Sequence, residues 1–183
     1  MRNLLAALAL CASTPALATG IEITVEGEGA NGVIQIDLLE EVAPLHAERI
    51  STLAAEGAYD GVVFHRVIDG FMAQTGDVSN GQLGMDMRYA GTGGSDKPNL
   101  PAEFSDVPYD RGVVGMARTQ DPNSANSQFF IMFAPGYFLN GQYTVVGQVT
   151  GGMDVVDQIK RGTGPNGSVL GQPDVMKTVT ATD

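Results

Sequence analysis

Apolar and polar residues alternate along Ile21–Glu26 and again along Val33–Leu38, the period-two pattern of strands buried on one face. Between them, Gly27-Glu28-Gly29-Ala30-Asn31-Gly32 supplies the glycines and the Asn-Gly pair that a tight turn needs for positive φ, so the segment predicts a hairpin. The same six residues carry the G-x-G-x-x-G spacing of a dinucleotide-binding loop. That loop must open a helix, however, and this one runs straight into the strand-like Val33-Ile34-Gln35-Ile36. Pro44 suits the first turn of a helix, Leu45, Ile50, Leu53 and Ala54 recur at helical spacing, and Gly57 is placed to end it. Val62–Ile68, Gly112–Ala117, Ser127–Phe133, Tyr143–Val149 and Val175–Ala181 read as further strands, with a second helix over Met153–Lys160. From Val78 to Pro101 the chain is rich in Gly, Asn, Ser and Asp around Gly91-Thr92-Gly93-Gly94, a loop long enough to be functional or a packed surface excursion. Many short strands, two helices and glycine turns predict an all-β-dominated fold: a closed β architecture with capping helices.

The N-terminus follows a different logic. Met1-Arg2-Asn3 carries one positive charge, Leu4–Ala12 is an apolar run too short to span a bilayer, and Ala16-Leu17-Ala18 is a small-x-small cleavage pattern. Residues 1–18 therefore read as a signal peptide and residues 19–183 as a single domain. Cys11 lies inside the signal segment behind Leu10, which is too large for a lipoprotein site, so no membrane anchor is expected. Composition narrows the function. Ten Lys plus Arg against 21 Asp plus Glu give a net charge of −11, which becomes −12 once residues 1–18 and their single arginine are removed. A surface so acidic does not hold nucleic-acid phosphates or anionic headgroups. One cysteine and two histidines leave no disulfide framework and argue against a Cys/His zinc cage. No heptad or apolar exposed helix calls for an oligomer, and monomer is the expectation.

Phe64-His65-Arg66-Val67-Ile68 sets a guanidinium within an apolar stretch. If this is one strand, Phe64, Arg66 and Ile68 share a face and His65 and Val67 take the other. A partly buried arginine cannot shed its proton and must find acceptors, as in a structural ion pair. Phe71, Met72 and Gln74 follow within a few residues. In Ser127–Phe133, Phe129, Ile131 and Phe133 suit a core, while Gln128, Phe130 and Met132 suit a ligand groove with few polar contacts.

These blocks make the chain resemble the cyclophilin family of peptidyl-prolyl cis-trans isomerases. The resemblance runs through Phe64–Asp77, Gly91-Thr92-Gly93-Gly94, Met116-Ala117-Arg118, Asn126–Ile131 and Phe138-Leu139-Asn140-Gly141, in the family's order. It implies a closed eight-stranded antiparallel β-barrel capped by two α-helices, with the groove on the outer surface. By matched position, Arg66 resembles the catalytic arginine and Gln74 the residue that holds it and contacts the peptide. Phe71, Met72, Phe130 and Leu139 resemble the walls of the proline pocket. Ala117, Arg118 and Gln128 border the groove, and Gly91 and its neighbours resemble the rim that meets residues preceding proline. Phe138 stands where many members have a tryptophan that helps bind cyclosporin, which implies weak inhibition by that drug. Tyr143 replaces a frequent histidine at the pocket edge, and Arg118 an asparagine. Phe138, Tyr143 and the signal peptide together resemble the exported bacterial branch, which implies a periplasmic protein; the signal peptide alone also allows full secretion.

Rotation about an X–Pro bond takes tens to hundreds of seconds unaided and needs no nucleophile, metal or cofactor. It needs a donor aimed at the prolyl nitrogen, whose lone pair localises as the amide twists, and an apolar pocket for the ring. The partners implied are proline-containing unfolded or flexible polypeptides. A proline-peptide binding module or holdase with little turnover would keep the aromatic pocket but has no use for Arg66. A serine hydrolase would pair Ser127 or Ser124 with His65. A purely structural barrel would leave the groove residues without a purpose. Asn166-Gly167-Ser168 matches a glycosylation acceptor but also reads as a surface turn.

Overall fold

The computed structural model describes residues 20–182. The signal-peptide reading of residues 1–18 lies outside them. The first hairpin forms as the alternation predicts: β1 (Gly20–Glu26) pairs antiparallel with β2 (Gly32–Leu38), with Val25 opposite Gly32 across the glycine turn. Helix α1 (Pro44–Ala55) follows, with proline in its first turn and Gly57 at φ 69° just beyond its end. Short strands β3 (Val62–Val63), β4 (Arg66–Ile68) and β5 (Met72–Thr75) precede the long loop. Then come β6 (Val113–Met116), β7 (Phe129–Met132), β8 (Val145–Gly151), helix α2 (Met153–Gln158) and β9 (Val175–Thr182).

All nine strands belong to one sheet in the order β3-β9-β1-β2-β8-β6-β7-β5-β4, and every pairing is antiparallel. The sheet is an open, curled half-barrel, which corrects the expectation of a closed eight-stranded barrel. The cause is local. Val62–Ile68, expected as one strand, breaks at Phe64-His65 into β3, which pairs with β9, and β4, which pairs with β5. A continuous strand there would have bonded both edges and closed the ring with eight strands. Instead the Phe64 N–H donates to the Asp174 carbonyl at 2.9 Å and the His65 carbonyl accepts from Val169 N–H at 3.0 Å.

The same break changes which side chains share a face. Phe64 and Val67 both enter the main core, while Arg66 and Ile68 turn to the other side. Phe64 therefore does not lie beside Arg66, as uninterrupted alternation predicted. The main core is built from Ile21, Ile23, Ile34, Ile36, Val114, Phe129 and Ile131 of the sheet with Ile50 and Leu53 of α1. Leu45, expected in the helix's apolar stripe, is exposed, and His46, Ala47 and Arg49 take the inward positions. The second helix stops at Gln158, short of Lys160. A smaller apolar cluster of Met72, Tyr109, Val113, Phe130, Met132, Leu139 and Val145 lies apart from this core. β7 thus divides its residues as predicted, with Phe129 and Ile131 in the core and Phe130 and Met132 in the second cluster.

One buried carboxylate fastens the first hairpin to the last strand. Asp174 accepts from the N–H groups of Gly29 at 2.9 Å, Ala30 at 3.1 Å and Lys160 at 2.8 Å. The turn with a nucleotide-loop spacing thus directs its amides onto a carboxylate of its own chain, and it leads into a strand.

Candidate active site

The second apolar cluster opens to solvent as a cavity of about 260 Å³ lined by Arg66, Phe71, Met72, Gln74, Ala117, Arg118, Phe130, Phe138, Leu139 and Tyr143. Ten of the twelve residues picked out in the sequence thus meet in one place. The other two, Gly91 and Gln128, line an adjoining cavity of about 130 Å³ that shares Gln74, Ala117 and Arg118 with the first. Facing strands explain the convergence. Cross-strand register sets Arg66 opposite Gln74, and Gln74 opposite Phe130, so alternate residues of β4, β5 and β7 share one face. Phe138 and Leu139 arrive on a short 3-10 turn, Tyr137–Leu139.

Aromatic contacts shape the pocket. Phe130 stacks on Tyr109 with centroids 5.9 Å apart and meets Tyr143 edge-on at 6.0 Å. Gly115, opposite Phe130 on β6, makes room for this stack: a methyl group there would lie 2.5 Å from both Phe130 Cζ and the Tyr109 hydroxyl. Phe138 is 68% exposed and leans on Phe71 at 5.5 Å, forming one lip. Arg118 forms the other, its guanidinium carbon 4.2 Å from the Tyr143 ring centroid and its Nη2 donating to the Gln142 carbonyl at 2.8 Å.

Arg66 is the polar centre. Its Nη1 donates to Gln74 Oε1 at 3.1 Å, its Nε to the Asn166 carbonyl at 3.0 Å and its Nη2 to Asn166 Oδ1 at 3.1 Å. Met72 Sδ lies 4.0 Å from Nη1. Each of these acceptors is neutral. Among the described residues, Arg88, Lys97, Arg111, Lys160, Arg161 and Lys177 form carboxylate ion pairs, whereas Arg49, Arg66 and Arg118 form none. Two of those three border the pocket. Burial lowers the Arg66 pKa from its ordinary value, opposed by the nearby Tyr143. A guanidinium starts so far above neutrality that it stays protonated.

Beyond Gln74 the hydrogen bonds run on in one direction. Gln74 Nε2 donates to Gln128 Oε1 at 2.9 Å, and Gln128 Nε2 donates to the Gly93 carbonyl at 2.8 Å. Gly93 N–H in turn donates to Asp77 Oδ2 at 2.9 Å. Asp77, fully buried, also accepts from the N–H groups of Ser79, Asn80 and Gly91. The long loop is therefore a packed excursion whose rim is held by one carboxylate.

His65 sits beneath that rim, only 8% exposed, and neither ring nitrogen has a hydrogen-bond partner. Ser127 donates instead to the Gly76 carbonyl and Ser124 to the Asp121 carbonyl, so the serine–histidine pair that a hydrolase needs is not assembled. Burial lowers the His65 pKa. The Asp77 charge and the nearby Val63 carbonyl oppose the shift, and Arg66 adds to it. A histidine held neutral in the fold refuses a proton that the unfolded chain accepts. Its share of stability is thus complete above about pH 6.5 and is lost as pH falls through the unfolded value towards the lower folded one. The urea midpoint should fall between pH 7.5 and 5.5, and His65→Leu should flatten part of that slope. An unchanged slope in the variant would remove His65 as its source.

Asn166 was not among the residues picked out as site members. It lies 100 positions from Arg66, and the sequence marked it just as a glycosylation-acceptor match in a surface turn. Thr119, Ser124 and Asn126 of the adjoining cavity were likewise not foreseen as wall residues, whereas Thr92 and Gly93 belong to the rim expected around Gly91.

A curled antiparallel sheet carrying a small pocket with apolar walls and a charge-bearing arginine beside them fits the class of proline-binding or proline-isomerising proteins that the sequence resembles. Comparison with known proteins narrows this to one family. Residues 21–181 match the family model described as cyclophilin type peptidyl-prolyl cis-trans isomerase/CLD. The chain is 53% identical over 180 residues to a probable peptidyl-prolyl cis-trans isomerase of Brucella suis, covering 97% of this chain and 92% of that one. The fold resembles the crystal structure of cyclophilin AquaCyp293 from Hirschia baltica, with TM-score 0.71, 27% identity, and coverage of 88% of this chain and 73% of the other. It also resembles a Cryptosporidium parvum cyclophilin-type isomerase crystallised in the presence of the dipeptide Ala-Pro, with TM-score 0.72, 24% identity, and coverage of 90% and 99%. The chain belongs to the cyclophilin family and is a peptidyl-prolyl cis-trans isomerase.

Proposed function

We propose that the protein accelerates rotation about X–Pro bonds in exported, folding polypeptides by presenting the Arg66 guanidinium to the prolyl nitrogen while the apolar pocket grips the ring. The observation that carries this is the Arg66 environment: a permanent cation in the wall of a cavity of about 260 Å³, held only by neutral acceptors. A carboxylate partner would spend the charge in the ground state. Amide and carbonyl acceptors aim it and leave its field available to the lone pair that appears as the amide twists. Phe71, Met72, Phe130 and Leu139 bind the ring, Ala117, Arg118 and Gln128 border the groove with Tyr143, and Gly91 forms the rim towards residues before proline. The dipeptide Ala-Pro used with the Cryptosporidium parvum relative has the chemistry this pocket suits.

The chain acts as a monomer in the periplasm, delivered by residues 1–18, and binds cyclosporin weakly because Phe138 lacks an indole N–H. The monomer rests on a sequence without a heptad or apolar exposed helix, the location on the leader pattern and the family resemblance, and the drug affinity on the family resemblance; sedimentation, cell fractionation and an inhibition titration check them in turn. The central test is magnetisation-exchange NMR on a short Ala-Pro peptide with the chain lacking residues 1–18. Catalytic acceleration of cis–trans exchange is expected. Peptide binding with exchange left at its uncatalysed rate would make the protein a holdase and overturn the proposal.

A further inference from the structure

Arg66 meets Gln74 on one side, but its other two hydrogen bonds go to a single residue outside the sheet neighbourhood. The turn Pro165–Gly167 brings Asn166 across the guanidinium, where its carbonyl accepts from Nε and its Oδ1 from Nη2. The turn is tied to β4 on both flanks. Gly162 N–H donates to the Val67 carbonyl at 2.8 Å, Val169 N–H to the His65 carbonyl at 3.0 Å, and Ser168 bridges to Arg66 itself. Asn166 is also, among the described residues, the one non-glycine at positive φ, with φ 55° and ψ 27°. Glycine would adopt that conformation without the steric cost of a Cβ, and asparagine bears it better than most residues. The backbone geometry therefore gives no reason for a side chain here. The hydrogen bond from Arg66 Nη2 does.

We propose that Asn166 is a positioning residue for the isomerase reaction, its carbonyl and Oδ1 together forming a neutral fork that fixes the plane of the Arg66 guanidinium from the side opposite Gln74. A guanidinium hinged on Gln74 alone can swing about its stem. One held at Nε, Nη1 and Nη2 can only present its remaining N–H groups to the groove. Placement of that kind acts on the barrier rather than on peptide binding, because it decides whether the donor faces the nitrogen when the amide twists. The neutrality of the fork matters equally, since an anion at the same point would hold the plane but draw the field away from the substrate. This rests on the proposed role of Arg66.

The test uses Asn166→Gly, which keeps the backbone carbonyl and relaxes the left-handed turn while deleting Oδ1. We expect kcat/KM to fall about 5- to 10-fold, almost all of it in kcat, with the urea midpoint unchanged or slightly raised. Asn166→Asp restores the acceptor with a charge 3.1 Å from the guanidinium, and should leave the Arg66 plane ordered yet kcat low. The side-chain Nε–H resonance of Arg66, sharp in the wild type and in Asn166→Asp, should broaden in Asn166→Gly. In an Arg66→Lys background, which lacks the fork's donors, Asn166→Gly should cost less than twofold. A structural role would cost the same factor in both backgrounds. If Asn166→Gly stays within twofold of wild type, or if its loss is additive with Arg66→Lys, the positioning role is wrong while a large Arg66→Ala effect leaves the arginine mechanism standing. If Arg66→Ala itself retains full activity, the arginine mechanism fails first.

Discussion

Replacing Arg66 by alanine is expected to lower kcat/KM for an Ala-Pro peptide by about one to two decades and to leave the protein folded. The size follows from one charge-assisted hydrogen bond, worth roughly 1.5–3 kcal/mol, made to the twisted amide and not to the planar one. The fold survives because Arg66 is half-buried and neutralises no carboxylate, so its removal strands no buried charge. Gln74 loses a donor at Oε1 but keeps its bond to Gln128, and the apolar pocket keeps its walls. Peptide binding should weaken far less than turnover does. Arg66→Lys should fall between, because an ammonium carries the charge without the planar fork that Gln74 and Asn166 grip. Magnetisation-exchange rates with peptide titrations, read beside urea unfolding, separate these effects. Binding and turnover falling by equal factors would show that Arg66 merely holds substrate.

The second large effect lies far from the reacting bond. Asp77→Ala should cost at least about 3 kcal/mol of stability, because several backbone donors around a fully buried site lose their acceptor together. Asp77→Asn is the informative variant. Its amide keeps one oxygen, so it can satisfy either the Ser79–Asn80 pair or the Gly91–Gly93 pair, and its NH₂ group faces donors at the other. Releasing Gly93 frees the carbonyl that receives Gln128, which in turn aligns Gln74 and Arg66. Aligned donors polarise one another, and a break at the anionic end weakens the whole series. Asp77→Asn should therefore lose kcat/KM by more than its unfolded fraction explains, measured at low temperature where the variant stays folded. Activity that simply tracks the folded population would confine Asp77 to holding the loop.

The groove was readable where it depends on local alternation. Phe130 and Met132 face one way and Phe129 and Ile131 the other because a strand leaves them no choice, and β7 is regular throughout its length. Alternation failed at Phe64-His65 because periodicity reports faces and not partners. Nothing local says that Val62 pairs with β9 while Arg66 pairs with β5, so neither the break nor the open edge it leaves could be read. Leu45 misled for a related reason: the helix spends inward positions on His46 and Arg49, which bond to Glu103 and to the carbonyls of Pro98 and Asn126. Nine of the ten residues lining the larger cavity lie in the family blocks, with Tyr143 just beyond the last of them, since those blocks encode the assembled fold. Asn166 escaped because a turn signal names a backbone shape and is silent on what the turn reaches.

The contact between Asp174 and the first turn has a consequence for biogenesis. Gly29 and the carboxylate it donates to are separated by 145 positions, and β1 takes β9 as its neighbour on the edge away from β2. A ribosome or translocation channel releases the amino end first. Until Asp174 and β9 emerge, the glycine turn lacks its internal anion, β1 shows an unpaired edge, and β3 has no ladder partner. Non-local pairing of this kind is slow, because the loop must close before any contact rewards it. Assembly of the sheet therefore waits on β9 and its neighbouring carboxylate rather than on the pocket it carries.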